Sequence, residues 1–151
     1  MARVALISAG RIARVHARSL QKLPGAPLAG VFDPDPRQAG RFARDFGVPA
    51  YPSLESLCAD PAVDAVAVCS PLFAHCEHVL AAARAGKHIF CEKPIALTLA
   101  EADAMIAAAQ AAGVVFMVGH VLRFMAEYAR IQELAAQGAL GQVQSIYAAR
   151  L

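Results

Sequence analysis

Short runs that are apolar on both faces alternate along this chain with stretches where apolar residues recur every three or four positions. Val4 to Ser8, Leu28 to Asp33, Ala65 to Cys69, His88 to Cys91 and Val114 to Val118 are continuous apolar runs of strand length. Strands buried on both faces belong to a parallel sheet covered by helices. Between them, Ile12 and Val15, and Ala13, Ala17 and Leu20, keep helical spacing, and Asp35 to Phe46 sets Ala39, Phe42, Ala43 and Phe46 on one face. Asp35 is the expected N-cap of that helix. Phe73 to Ala85 predicts a helix stopped by Gly86, and Thr98 with Glu101 forms a capping box that opens the next one. Leu122 to Gln137 predicts a last helix closed by Gly138. Pro49, Pro52 and Asp60-Pro61 punctuate a weaker middle region, expected to hold a short strand and a short helix. Right-handed crossovers between such elements give a doubly wound α/β fold.

The stretch Gly141 to Leu151 alternates Val143, Ser145, Tyr147 and Ala149 with Gln142, Gln144, Ile146 and Ala148, which predicts a strand. No segment follows it to pair with, so poor order or pairing with another copy is expected. Ala104 to Leu122 carries no charge over a length that could span a bilayer. Gln110, Gly113, Gly119 and His120 interrupt it, and a helix followed by a buried strand is the better reading. No membrane association is expected.

Composition narrows the function. At 151 residues there is room for one domain. With 58% hydrophobic and 17% charged residues the chain is no disordered segment. The net charge of +2 is spread without a basic stripe, so nucleic acid is not an expected partner. Cys58, Cys69, Cys76 and Cys91 form no C-x-x-C pair and read as reduced thiols of a cytoplasmic protein.

The turn Ser8-Ala9-Gly10-Arg11-Ile12-Ala13 joins the first strand to the first helix. A dinucleotide fingerprint asks there for a tight turn, a glycine where backbone meets pyrophosphate, and a small residue for helix–strand contact. Gly10 and Ala13 suit the last two roles, while Ser8 stands where the first glycine is expected. The amides opening the helix, at Arg11 and Ile12, would face phosphate oxygens. Asp33, ending the second strand, is placed to accept from the adenine-ribose hydroxyls and to repel a 2′-phosphate, which favours NAD over NADP; nearby Arg37 is the counterweight. His75 and His78 lie three apart but lack a third ligand at usable spacing, so no metal is expected. His16 and His88 read as helix-surface and strand-end residues. Cys91-Glu92-Lys93-Pro94 sets an ammonium beside a carboxylate at a strand end, suited to orienting a hydroxyl and helping move its proton; a solvated charge pair is the plainer reading.

Gly86 to Ala96, with Glu92-Lys93-Pro94 at its centre, closely resembles the signature of the glucose–fructose oxidoreductase, inositol dehydrogenase and rhizopine catabolism (Gfo/Idh/MocA) family. The resemblance runs along the whole chain and implies a Rossmann-type sheet over 1–140, with 141–151 as the first strand of a truncated C-terminal α+β domain. It implies an NAD-dependent oxidoreductase that passes hydride between a secondary alcohol of a sugar or cyclitol and the nicotinamide. Lys93 is then the catalytic and substrate-binding lysine, and Glu92 and Lys93 also join the cofactor-binding residues. Ser70, Pro71 and His75 resemble the family's segment lining the nicotinamide side, and His120 and Arg123 its turn near the substrate. Family members are about twice this length, and their second domain carries the acid–base histidine and usually the homo-oligomer contacts. The isolated chain is therefore expected to be inactive. The alternative is a non-catalytic dinucleotide-binding module or a gene-fragment remnant.

Overall fold

A computed structural model describes residues 2–149. Six strands form one sheet: β1 (Val4–Ile7), β2 (Leu28–Phe32), β3 (Ala50–Tyr51), β4 (Ala65–Val68), β5 (His88–Cys91) and β6 (Phe116–Val118). Their order is β3-β2-β1-β4-β5-β6 and every pairing is parallel. The helices α1 (Arg11–Leu20), α2 (Pro36–Phe46), α3 (Leu54–Ala59), α4 (His75–Arg84) and α5 (Leu99–Ala111) lie in the connections. This is the doubly wound sheet that the alternating pattern predicts, with the chain reversing its direction of travel across the sheet between β1 and β4.

Strand alternation divides the core into two layers. Ala5 and Ile7 of β1 and Val66 and Val68 of β4 join a cluster with Leu57, Val79 and Met105 from α3, α4 and α5. Their neighbours Leu6 and Ala67 face the other way, against Ala13 and Ala17 of α1 and Phe42 of α2. Small residues on α1 let it lie close to β1. The same face of the sheet over β5 and β6 is an apolar concavity of about 360 Å³, bordered by His16, Leu20, Phe90 and Met117. Packing demands glycine at position 30, where a Cβ would fall 2.6 Å from the Tyr51 ring and 2.9 Å from the Pro49 carbonyl oxygen.

Local signals match the expected caps. The Asp35 carboxylate accepts from the Arg37 amide at 2.9 Å. Thr98 Oγ1 accepts from the Glu101 amide, and Glu101 Oε2 accepts from the Thr98 amide, both at 3.2 Å. Ser53 and Ser56 form a second capping box that starts α3.

Two segments differ from expectation. The helix predicted from Phe73 begins as a 3-10 turn, Leu72–Ala74, and becomes α-helical only at His75. The helix predicted from Leu122 starts at Ala126 as α6 (Ala126–Ala136), after a 3-10 turn Val121–Phe124 and an extended Met125 (ψ 133°). Amide-to-carbonyl bonds from Arg123 to His120 and from Met125 to Leu122 tighten that turn and keep it from joining the helix.

The chain divides into two compact units, Met1–Gly119 and His120–Leu151. The second unit holds the 3-10 turn and α6. The predicted strand from Gly141 is not formed among the described residues, since 142–149 carry no ladder pairing. Alternation supplies the faces of a strand, but only a neighbouring strand supplies its hydrogen bonds. Arg150 and Leu151 lie outside the described residues. Among the described residues no helix is long and apolar enough to cross a membrane, and the charge-free stretch from Ala104 is the end of α5, a turn and β6.

Candidate dinucleotide site

Because the winding reverses between β1 and β4, the loops leaving their carboxyl ends part and open a crevice. Ser8 begins the first loop with φ +88°, the left-handed region that glycine enters freely and serine does not. Asp33 holds that turn from one strand away. Its Oδ2 accepts from the Ala9 amide at 2.8 Å and from Ser8 Oγ at 3.3 Å, and its Oδ1 accepts from the Asp35 amide at 2.9 Å. The carboxylate is 8% exposed, and these N–H and O–H donors compensate its burial.

Gly10 caps the amino end of α1 with an ordinary φ of −69°. A Cβ there would meet only Ser8 Oγ, at 3.7 Å. Neither backbone conformation nor internal packing requires glycine at this position. The amides of the first helical turn, Arg11 and Ile12 among them, have no carbonyl one turn earlier to bond. They stand at the positive end of the helix beside that open space.

A cleft of about 750 Å³ runs along these loops, lined among others by Ser8, Gly10, Asp33, Ser70, Pro71 and His78. Arg11, Arg14 and Arg41 border an adjoining concavity that shares Gly10. Arg14 is paired with Asp45 at 2.7 Å. Arg37 lines neither space.

The loops after β4 and β5 are built from side chains instead. His75 is 2% exposed; its Nε2 lies 2.9 Å from the Ser70 carbonyl oxygen and its Nδ1 lies 3.0 Å from that of Pro94. It ties the two loops together and offers no free nitrogen to a ligand. His78 Nδ1 shares a 2.8 Å hydrogen bond with Ser70 Oγ. Burial pushes the His78 imidazole below its usual range, against a smaller opposing pull from Glu77. Glu92 is 9% exposed; Oε1 accepts from His16 Nε2 at 2.8 Å and Oε2 from the Lys93 amide at 3.1 Å. Lys93 is exposed, and among the described residues its ammonium has no ion-pair partner. Burial, reinforced by Glu92, pushes the Cys91 thiol up to about 12 and the Cys69 thiol higher still, so neither is a nucleophile near neutral pH.

The first unit thus gathers Ser8, Gly10, Asp33, Ser70 and Pro71 on one cleft, with Arg11 and Ile12 at its helical edge. His75, Glu92 and Lys93 are not among the residues lining it. His120 and Arg123 belong to the second unit, where the Arg123 amide donates to the His120 carbonyl. Sequence reasoning weighed His78 only as a metal ligand and read His16 as a helix-surface residue, so it missed the hydrogen bonds both make. Placing α4 directly after β4 would have put His78 beside Ser70. For His16 the only signal was its place on α1, and nothing in the linear sequence pairs it with a residue 76 positions on.

Strand order, a fingerprint turn and an open helix terminus at the crevice define a Rossmann-type dinucleotide-binding domain. Residues 2–120 match the family model of the Gfo/Idh/MocA proteins, described as an oxidoreductase family with an NAD-binding Rossmann fold, and the chain belongs to that family. It is 37% identical to the myo-inositol 2-dehydrogenase of Thermotoga maritima, over 93% of this chain and 42% of that protein. It is 35% identical to the scyllo-inositol 2-dehydrogenase (NAD(+)) of Bacillus subtilis, over 93% and 42%. The crystal structure of myo-inositol 2-dehydrogenase from Lactobacillus plantarum superposes with a TM-score of 0.85 at 28% identity, covering 94% of this chain and 43% of that one. The chain therefore spans about two fifths of the length of the relatives it matches.

Proposed function

We propose that this chain is the cofactor-binding part of an NAD-dependent oxidoreductase acting on a secondary alcohol of a sugar or cyclitol. The observation that carries the reading is Gly10: a glycine that the fold does not need, facing open space at the start of a helix. A diphosphate brought against bare backbone is what such a position serves. The relatives named above, dehydrogenases of myo- and scyllo-inositol, supply the substrate class.

In this reading the first-turn amides of α1, at Arg11 and Ile12, donate to the pyrophosphate. Asp33 accepts from the adenine-ribose hydroxyls with the lone pairs left after its three internal donors. Its fixed charge disfavours a 2′-phosphate, so NAD is preferred, although Arg11 and Arg41 near Gly10 moderate the preference. When bound, the nicotinamide ring supplies a hydride acceptor or donor at its C4. Ser70 and Pro71 border the cleft on the side of β4 and hold the ring end. Lys93 orients the reacting hydroxyl and stabilises charge on its oxygen. The assignment of His120 and Arg123 to substrate rests on the likeness of their turn to the family's.

Calorimetric titration tests this directly. Saturable NAD binding, weaker NADP binding, and loss of both in Gly10→Ala with an unchanged melting curve are the expected results. A folded chain that takes up neither nucleotide would overturn the reading.

A further inference from the structure

We propose that His16 positions Lys93 by occupying the carboxylate that would otherwise capture it. The proposal rests on the role given to Lys93 above, but its structural core stands on the ligand-free chain.

Glu92 is a buried carboxylate whose nearest neighbour in sequence is a lysine. A buried carboxylate short of donors draws in a neighbouring ammonium, because a charge-assisted hydrogen bond offsets the cost of its burial. That capture does not occur here. Each Glu92 oxygen already holds one donor, His16 Nε2–H on one and the Lys93 amide on the other, so its burial is offset without the ammonium. The imidazole is itself held in place: its ring meets Phe90 edge-on, with centroids 5.2 Å apart and planes at 68°. The bond also crosses the molecule's functional axis. Gly10 opens α1, and His16 lies six residues along it, about 9 Å of helix rise away. One helix therefore presents amides at the proposed diphosphate position and, from its next turns, fixes the carboxylate beside the proposed substrate lysine. The Lys93 ammonium is left free to reach a ligand.

Competitive acylation of amines in the folded chain reads this out. The chain has three lysines. Lys22 is exposed and serves as the internal reference. Lys87 donates to the carbonyls of Asp60 and Val63 and is 9% exposed, so it reacts slowly. The ratio of Lys93 to Lys22 labelling, measured by mass spectrometry, is expected to fall about tenfold in His16→Leu as the ammonium folds onto Glu92. His16→Gln, which keeps an N–H donor, restores the ratio. The double variant His16→Leu with Glu92→Gln restores it as well, because the capturing charge is gone. Should His16→Leu lose its native melting transition, His16→Phe, which keeps a ring against Phe90, takes its place. An unchanged ratio in the folded single variant overturns the proposal, and so does a fall that persists in the double variant. None of these measurements needs nucleotide: a chain that fails to bind NAD but keeps this labelling pattern sinks only the functional reading.

Discussion

The two sides of the crevice reach the same end by opposite means. The loop after β1 is shaped by backbone: Ser8 in a left-handed conformation, Gly10 without a side chain, and one carboxylate, Asp33, holding amides from both sides. The loops after β4 and β5 are shaped by imidazoles that clasp a carbonyl, a hydroxyl and a carboxylate. The first arrangement leaves free N–H groups pointing outward, which suits a ligand recognised by its phosphate oxygens. The second consumes its polar groups internally and leaves a single ammonium exposed. Rigid donors for the invariant half of a ligand, and one adjustable charge for the variable half, are thereby separated along the sheet edge.

The sharpest way to break this contrast is to add one carbon to each half of the backbone-built side. Gly10→Ala should weaken NAD binding at least about a hundredfold, roughly 3 kcal/mol, while changing stability by no more than about 1 kcal/mol. Gly30→Ala should do the reverse, lowering the melting temperature because its Cβ meets the Tyr51 ring and the Pro49 carbonyl, with nucleotide affinity retained in whatever fraction stays folded. Equal losses of stability in the two variants would mean that Gly10 is a packing glycine after all. On the side-chain-built half the expectation inverts. His75→Ala removes a buried ring that ties the loops after β4 and β5, and should cost about 3 kcal/mol of unfolding free energy in denaturant titrations.

How much of this was legible beforehand follows the same division. The sheet, its helices and their caps were readable because two-sided apolar runs, Thr98-x-x-Glu101 and Gly86 are local signals. Gly10 and Asp33 were readable because a fingerprint turn and a strand-end carboxylate keep fixed places in the chain. The imidazole contacts were not, since His16 with Glu92 and His78 with Ser70 are pairings that exist only after β4 and β5 are laid beside β1. Gly141 onward alternates like a strand, but alternation reports only which faces a strand would have, and 142–149 carry no ladder pairing.

Asp33 holds the turn and lines the proposed cofactor cleft, so its removal should show both effects at moderate size. Asp33→Ala is expected to weaken NAD binding about tenfold and to narrow the gap between NAD and NADP, with NADP affinity falling less. It should also cost about 2 kcal/mol of stability, because the Ala9 and Asp35 amides lose their acceptor. Parallel titrations with the two nucleotides check the first effect. A parallel drop for both would show that the carboxylate acts only through the turn.

Smallest is the strain at Ser8. A serine at φ +88° costs about 1 kcal/mol relative to glycine, and its long 3.3 Å bond to Asp33 returns only part of that, since Asp33 Oδ2 already accepts from Ala9. Ser8→Gly should therefore raise the melting temperature by about 2 °C and leave NAD affinity within about twofold, because the amides proposed to face the diphosphate belong to the following turn. The background for this measurement must be chosen with His78 in mind. Its depressed imidazole is neutral in the folded chain and takes up a proton on unfolding, so stability is complete above the ordinary histidine value of 6.5 and declines as pH falls below it. At pH 7.5 the Ser8→Gly gain stands alone. At pH 5 both chains should melt lower by the same amount, and His78→Asn should flatten that decline. A Ser8→Gly chain that melts below the parent at pH 7.5 would mean that the serine hydroxyl, rather than the backbone, is what sets the geometry of the turn.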